Sequence, residues 1–97
     1  MSVERRLSEL GLVLPEVMKV PDGVRLPFSW VRVVGKRVTI SGHGPSLPDG
    51  SVAGPFGKVG RDLSQEQAYE AARLTALGML ASLRRELGAL DHVTWLR

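Results

Sequence analysis

Apolar residues recur at helical spacing near the N-terminus of the chain. Val3, Leu7 and Leu10 lie on one helical face, and Ser2 precedes them with a side chain that can accept from the first free amides. Gly11 stands where a left-handed residue commonly ends a helix. The pattern predicts a short first helix.

A second, longer helix is predicted from residue 64 to about residue 87. Ser64 and Gln67 fit a capping box, and Gly88 is a natural stop. At about 100° per residue the apolar positions form two stripes. The first stripe is Tyr69, Ala72, Ala76, Leu80, Leu83 and Leu87, and the second is Ala71, Leu74, Gly78 and Ala81. Covering a sheet takes one apolar face, so we expect the second, small-sided face to pack against another helix or another subunit.

Two stretches rich in β-branched and aromatic residues predict a β-hairpin. They cover residues 28–34 and 37–41, and Gly35-Lys36 between them suits a two-residue II′ turn. Residues 42–60 hold six glycines and three prolines, which predicts a long loop. Residues 91–97 are predicted to open a further strand. The order helix, hairpin, loop, helix, strand indicates one α+β domain over residues 1–97, with the long helix across one face of the sheet.

Composition excludes several classes of protein. The 97 residues contain no cysteine, so disulfides, thiolate metal sites and cysteine nucleophiles are excluded. No stretch approaches the ~20 apolar residues that cross a bilayer, and no signal peptide is evident, so we expect no membrane partner and a cytoplasmic location. The net charge of +3 arises from scattered basic residues, which argues against a nucleic-acid partner.

Motifs with known chemistry are incomplete in this chain. Gly42-His43-Gly44 lacks the third glycine and the helix of a dinucleotide site, and Gly57-Lys58 lacks the rest of a phosphate loop. Two histidines do not make a metal site, so we expect no metal. A triad of Ser41, His43 and an aspartate lacks a nucleophile elbow.

The strand end Ser41-Gly42-His43-Gly44-Pro45 is the remaining candidate. Free backbone N–H groups and a serine hydroxyl at such a turn can bind a small anion or carbonyl group. The same residues also suit an ordinary transition from strand to loop, with the serine bonded to its own turn.

The order and spacing of short motifs along nearly the whole chain resemble the RidA/YjgF family, also called L-PSP endoribonuclease-like, in the branch with an N-terminal helix. The motifs are Arg6-Leu7-x-Glu9-Leu10-Gly11, Leu14-Pro15, Val34-Gly35-Lys36-Arg37-Val38, Ser41-Gly42, Asp49-Gly50, Gly57-Lys58-Val59-Gly60, Ala71-Ala72-Arg73, Gly88-Ala89-Leu90-Asp91 and Val93.

The resemblance implies a chorismate-mutase-like fold, in which a mixed sheet is backed by two helices, and a homotrimer with small-molecule clefts between subunits. It implies hydrolysis of enamines and imines to ketoacids and ammonia without a cofactor. The site positions that carry over are Phe28, where the family has tyrosine, the matching pair Ser41 and Gly42, and His43, where glutamine is common. The family's carboxylate-binding arginine and its glutamate would follow Arg97. We therefore expect the chain to be the N-terminal portion of a longer domain, and inactive alone.

Three functions remain open at this point. The first is an enamine or imine deaminase in full-length form. The second is a non-catalytic trimer that binds a small carboxylate, which the loss of the tyrosine hydroxyl at Phe28 favours. The third is an endoribonuclease, which the scattered charge and the lack of an acid–base pair make the weakest.

Overall fold

A computed structural model describes residues 2–97 and shows a small α+β structure. Its elements are helix α1 (Val3–Glu9), strands β1 (Val31–Val34) and β2 (Arg37–Ile40), helix α2 (Gln65–Leu87) and a short 3₁₀ helix (Leu90–His92). Within these residues the sheet has two antiparallel strands. The α+β class is confirmed, whereas the mixed sheet that the resemblance implies is not seen in this part of the chain.

Helix α1 begins and ends where its sequence predicts. The Ser2 hydroxyl accepts from the Arg5 amide at 3.0 Å. At the other end Gly11 has a φ of 71°, its amide donates to the Ser8 carbonyl, and the next amide donates to the Leu7 carbonyl. This pair of bonds is a Schellman motif, and it requires the positive φ that glycine adopts without steric cost.

The two ends of the chain are joined by side chains of α1 and the 3₁₀ helix. The Val3 amide donates to Asp91 Oδ1 at 2.9 Å, and the Leu90 amide donates to Glu4 Oε1 at 2.7 Å. Leu90 is buried beside Leu7 in the small core. The carboxylates thus satisfy free amides at the start of each helix while the leucines bury apolar surface.

The hairpin is confirmed, with a shorter first strand than predicted. Val31 pairs with Ile40, and Gly35 in the turn has a φ of 60°, as a II′ turn requires. Strand β1 does not begin at Phe28 as predicted, because its partner strand β2 ends at Ile40. Beyond Ile40 only Ser41 bonds to the residues before β1, through its amide and its hydroxyl, so residues 28–30 are not part of the strand.

The strand predicted over residues 91–97 is also wrong. The chain forms the 3₁₀ helix there and then an irregular segment. A strand needs a neighbour for its amides and carbonyls, and in residues 2–97 the two strands pair only with each other. Trp95 is 68% exposed, so side-chain packing does not hold this segment either.

Helix α2 has the predicted capping box, and Gly88 at its end has a φ of 83°. Both stripes contribute to the core: Gly78 and Ala81 of the small-sided stripe and Leu83 of the first stripe are buried, whereas Tyr69 is 74% exposed. Within residues 2–97 the small-sided face lies against the turn after β2, so the expectation that it packs on another helix is wrong there, and its packing on another subunit stays a prediction. The absence of a side chain at Gly78 lets α2 approach the turn after β2, where the Gly44 carbonyl lies.

The glycine-rich loop is ordered by backbone bonds to the segment after α1. The Glu16 amide donates to the Pro48 carbonyl, and the Lys19 amide donates to the Gly50 carbonyl, both at 3.0 Å. Gly50 has a φ of 89°, and a Cβ there would collide with the carbonyl of Val17. Glycine is therefore required at position 50, because the backbone there has a positive φ and because a side chain would collide with the Val17 carbonyl.

We expect Gly78→Ala to stabilise the chain and Gly78→Leu to destabilise it. A Cβ at Gly78 would lie 3.8 Å from the Gly44 carbonyl oxygen, an ordinary contact, while alanine gains about 1 kcal/mol of helix propensity. A leucine would force the turn away and cost about 1–3 kcal/mol. Urea unfolding measures both, with Ala72→Gly on the exposed face as the propensity control. Equal stability of the two Gly78 variants would contradict the close approach.

We expect Asp62 to stabilise the loop at neutral pH and to lose this effect in acid. Hydrogen bonds from the Arg61 side chain and the Lys58 amide lower the pKa of Asp62 from its ordinary 3.8. Since the folded pKa is below the unfolded one, the stabilisation is present above the unfolded pKa and disappears as pH falls through the folded pKa. Asp62→Asn should therefore lower the free energy of unfolding at neutral pH and not in strong acid. Asp22→Asn, at an exposed turn, is the control, and a pH-independent effect of Asp62→Asn would contradict the assignment.

Candidate functional site

The turn after β2 directs His43 toward α2. The Ser41 hydroxyl donates to the Ser29 carbonyl at 2.6 Å, and the Ser41 amide donates to the Trp30 carbonyl at 2.9 Å. These bonds hold the end of β2 against the residues before β1. The hydroxyl of Ser41 is thus engaged in the structure of the turn, and Gly42 lies exposed at its outside.

Both ring nitrogens of His43 have partners. Nδ1 lies 2.6 Å from the Ser41 carbonyl oxygen, and Nε2 lies 2.7 Å from Ser82 Oγ. A carbonyl oxygen only accepts, so Nδ1 carries the proton of this bond. In the neutral ring Nε2 is then the acceptor, and the Ser82 hydroxyl donates to it.

Ser82 and Arg85, which sequence reasoning did not single out, complete this cluster. Ser82 is 4% exposed, and Arg85 Nη2 donates to its Oγ at 3.2 Å. Arg85 Nη1 donates to the Pro15 carbonyl at 3.3 Å. A signal was present, because Ser82 lies one helical turn after Gly78 and interrupts the small-sided stripe with a polar group. Only the three-dimensional structure shows that Ser82 forms a hydrogen bond with His43.

Aromatic rings form one wall next to His43. The Trp30 ring centroid lies 4.8 Å from that of His43, with the planes tilted by 47°. Phe28 contacts Trp30 edge to face at 5.0 Å and is 47% exposed. Phe28 therefore supports the wall from behind and does not face the cleft that the wall encloses.

A shallow cleft of about 20 Å³ lies between the turn, the segment after α1 and α2. Its polar lining comes from Glu16, His43, Ser46, Ser82 and Arg85. This volume slightly exceeds the ~10–15 Å³ that one water needs, so the cleft has room for about one water-sized group. Of the four predicted positions His43 alone lines it. Phe28, Ser41 and Gly42 lie around it, and their predicted ligand contacts stay predictions.

Two features are absent from residues 2–97. No group of three or more histidine, aspartate or glutamate side chains is placed to hold a metal ion. In the same residues no helix has the length and apolar character to cross a membrane.

The fold and the cleft define the chain as a small α+β protein with a shallow polar cleft at a strand end. No protein-family model and no curated protein matches it. Among solved structures it is similar to a protein of Shewanella oneidensis MR-1 named "putative endoribonuclease". The two are 32% identical with a TM-score of 0.78, over 94% of this chain and 56% of the other. The chain thus spans little more than half of that protein's length, and such a name is typical of the YjgF/L-PSP family.

We expect Ser82→Ala to destabilise the chain by about 1–3 kcal/mol, because it leaves His43 Nε2 without a hydrogen-bond partner and removes one from Arg85. Ser46→Ala, in the same cleft, is the matched control and should change the free energy of unfolding by less than about 0.5 kcal/mol. Chemical denaturation measures both. A Ser82→Ala variant as stable as the control would show that the hydroxyl is not needed by the cluster.

Proposed function

We propose that the chain is a YjgF/L-PSP (RidA) type protein that handles small carboxylate-bearing metabolites. The observation that supports this is the 32% identity over 94% of the chain to a structure whose name is typical of that family. The motif order along the sequence points the same way. A chorismate-mutase-like fold, a homotrimer and a cytoplasmic location belong to this proposal.

The proposed reaction of the full-length form is hydrolysis of an enamine or imine at a cleft between subunits. Water adds to the carbon of the C=N bond, a proton passes to nitrogen, and the C–N bond breaks to give a ketoacid and ammonia. Such a reaction needs groups that hold the carboxylate and orient the water. We propose that Phe28, Ser41, Gly42 and His43 lie near the ligand, as the resemblance implies. The family's carboxylate-binding arginine and glutamate have no counterpart in these residues, so we propose that this 97-residue chain is inactive alone.

Binding without catalysis is the second candidate. Phe28 lacks the hydroxyl of the family's tyrosine, and the ring packs on Trp30. Both ring nitrogens of His43 are bonded within the chain, to Ser41 and Ser82. These observations favour a site that binds a ligand without catalysing a reaction.

Ribonuclease activity, which the name of the Shewanella protein suggests, is less well supported. Several arginines pair with carboxylates of this chain: Arg5, Arg6, Arg61, Arg73 and Arg84. Paired, scattered guanidinium groups do not form the continuous basic surface that an RNA backbone requires.

A ketoacid panel and an imine assay test this function together. We expect 2-ketoacids to raise the melting temperature of the chain, because a ligand that binds only the folded state stabilises it. We expect the hydrolysis of an imino acid, generated in situ by an amino-acid dehydratase, to stay within twofold of the uncatalysed rate. A ribonuclease assay on the same preparation should be negative.

Ligand binding and the lack of catalysis would be contradicted by different results. A flat thermal response to every ketoacid would count against metabolite binding. Acceleration of imine hydrolysis by these 97 residues would refute the proposal that they are inactive alone. Phe28→Tyr restores the family's hydroxyl and should leave stability nearly unchanged, since Phe28 is half exposed.

A further inference from the structure

The tripeptide Pro-Asp-Gly occurs twice in the chain, as Pro21-Asp22-Gly23 and as Pro48-Asp49-Gly50. In both copies the glycine has a positive φ, 80° at Gly23 and 89° at Gly50. An aspartate followed by glycine is prone to cyclise, because glycine has no side chain to shield its amide nitrogen from the carboxyl group before it. The two copies have the same local chemistry, so the structure around each one decides how it reacts.

The reacting groups of Asp49 and Gly50 are held apart by hydrogen bonds. Asp49 Oδ1 accepts from the Ser51 amide at 2.9 Å and from the Ser51 hydroxyl at 2.6 Å. The Gly50 amide donates to the Leu47 carbonyl at 2.9 Å. Gly50 is also buried against the carbonyl of Val17. Neither the carboxylate nor the amide can turn toward the other unless these bonds break.

The reacting groups of Asp22 and Gly23 have no such restraint. One hydrogen bond closes their turn, from the Val24 amide to the Pro21 carbonyl at 3.1 Å. Within residues 2–97 the Asp22 carboxylate has no hydrogen-bond or salt-bridge partner, and the Gly23 amide donates to no protein group. Both residues are exposed, and a Cβ on Gly23 would have no neighbour within 4 Å. The carboxyl group and the amide can therefore meet without the loss of a contact.

We propose that Asp22-Gly23 is a site of spontaneous isoaspartate formation in the folded chain, and that the fold protects Asp49-Gly50 from the same reaction. The Gly23 amide nitrogen attacks Asp22 Cγ, a C–N bond forms, the nitrogen gives up its proton, and one carboxyl oxygen leaves as water. Water then opens the succinimide ring at either carbonyl. Opening at the side-chain carbonyl restores aspartate. Opening at the backbone carbonyl gives isoaspartate, whose main chain runs through Cγ and whose α-carboxylate is free.

The charge state of Asp49 adds to its protection. The electrophile in this reaction is the protonated carboxyl group, because an ionised carboxylate has no oxygen that can leave as water. Hydrogen bonds from the Ser51 hydroxyl and amide lower the pKa of Asp49 from its ordinary 3.8. At neutral pH the reactive form of Asp49 is therefore rarer than that of an ordinary aspartate.

The surroundings of Gly23 also accommodate the product. Isoaspartate lengthens the main chain by one methylene group and places a carboxylate beside it. The open space at Gly23 receives both, and the turn there has a single hydrogen bond to lose. We therefore expect the modified chain to stay folded. Its partner in this form is an isoaspartyl carboxyl methyltransferase, the class of enzyme that esterifies the free α-carboxylate with S-adenosylmethionine.

Ageing of the purified chain at neutral pH tests the site. Peptide mapping by mass spectrometry locates isoaspartate, and methylation by an isoaspartyl carboxyl methyltransferase counts it. We expect isoaspartate to accumulate at Asp22 at least about tenfold faster than at Asp49, whose hydrogen bonds must first open. In strong urea the two rates should agree within about threefold, because the unfolded chain lacks those restraints. Equal rates in the folded chain, or a difference that persists in urea, would overturn the proposal.

Three variants separate the two sites. Asp22→Glu keeps the charge but would require a six-membered ring, so methylation of the aged folded chain should fall to the background level. Ser51→Ala removes one restraint on Asp49 and should raise isoaspartate formation there several-fold, with no change at Asp22. Ser46→Ala, in the same loop, is the matched control and should change neither rate. Persistent methylation of Asp22→Glu would place the reaction at another residue, and an unchanged rate at Asp49 in Ser51→Ala would contradict its protection by Ser51.

Discussion

The close approach of α2 to the turn after β2 is the contact on which the rest of this structure depends. Gly78 has no side chain, so the helix backbone reaches the Gly44 carbonyl and the His43 ring. One helical turn later Ser82 meets His43 Nε2. A bulky residue at Gly78 would separate the helix from the turn and would remove the hydrogen bond together with the packing.

This contact also explains why a small polar cluster lies inside such a small core. The buried core is a few leucines and Val31, gathered around the C-terminal half of α2 and the 3₁₀ helix. Burying Ser82 and part of His43 would cost free energy if their polar atoms were unpaired. Each has a partner, and in residues 2–97 no buried side-chain nitrogen or oxygen lacks one. The cluster is thus compatible with the core because His43 and Ser82 bond to each other, His43 also bonds to the Ser41 carbonyl, and Ser82 also accepts from Arg85.

The site and the similarity to a known structure support different levels of function. The similarity to the Shewanella protein, at 32% identity over 94% of the chain, supports the proposal of a YjgF/L-PSP type protein. The geometry of the chain shows His43, Ser82 and Arg85 joined by hydrogen bonds at the edge of a shallow cleft.

The sequence by itself determined the local elements. Ser2 and Ser64 begin the helices, Gly11 and Gly88 end them, and Gly35 turns the hairpin. Each of these signals acts within a few residues. His43 was identified as a candidate for the same reason, since a glycine-flanked turn is visible in sequence. Only the tertiary structure decided which face of α2 is buried, that residues 93–97 lack a strand partner, and that Ser82 and Arg85 join His43. Those outcomes depend on contacts between residues far apart in the sequence, such as Pro15 and Arg85, which are 70 positions apart, and no local pattern encodes such pairings.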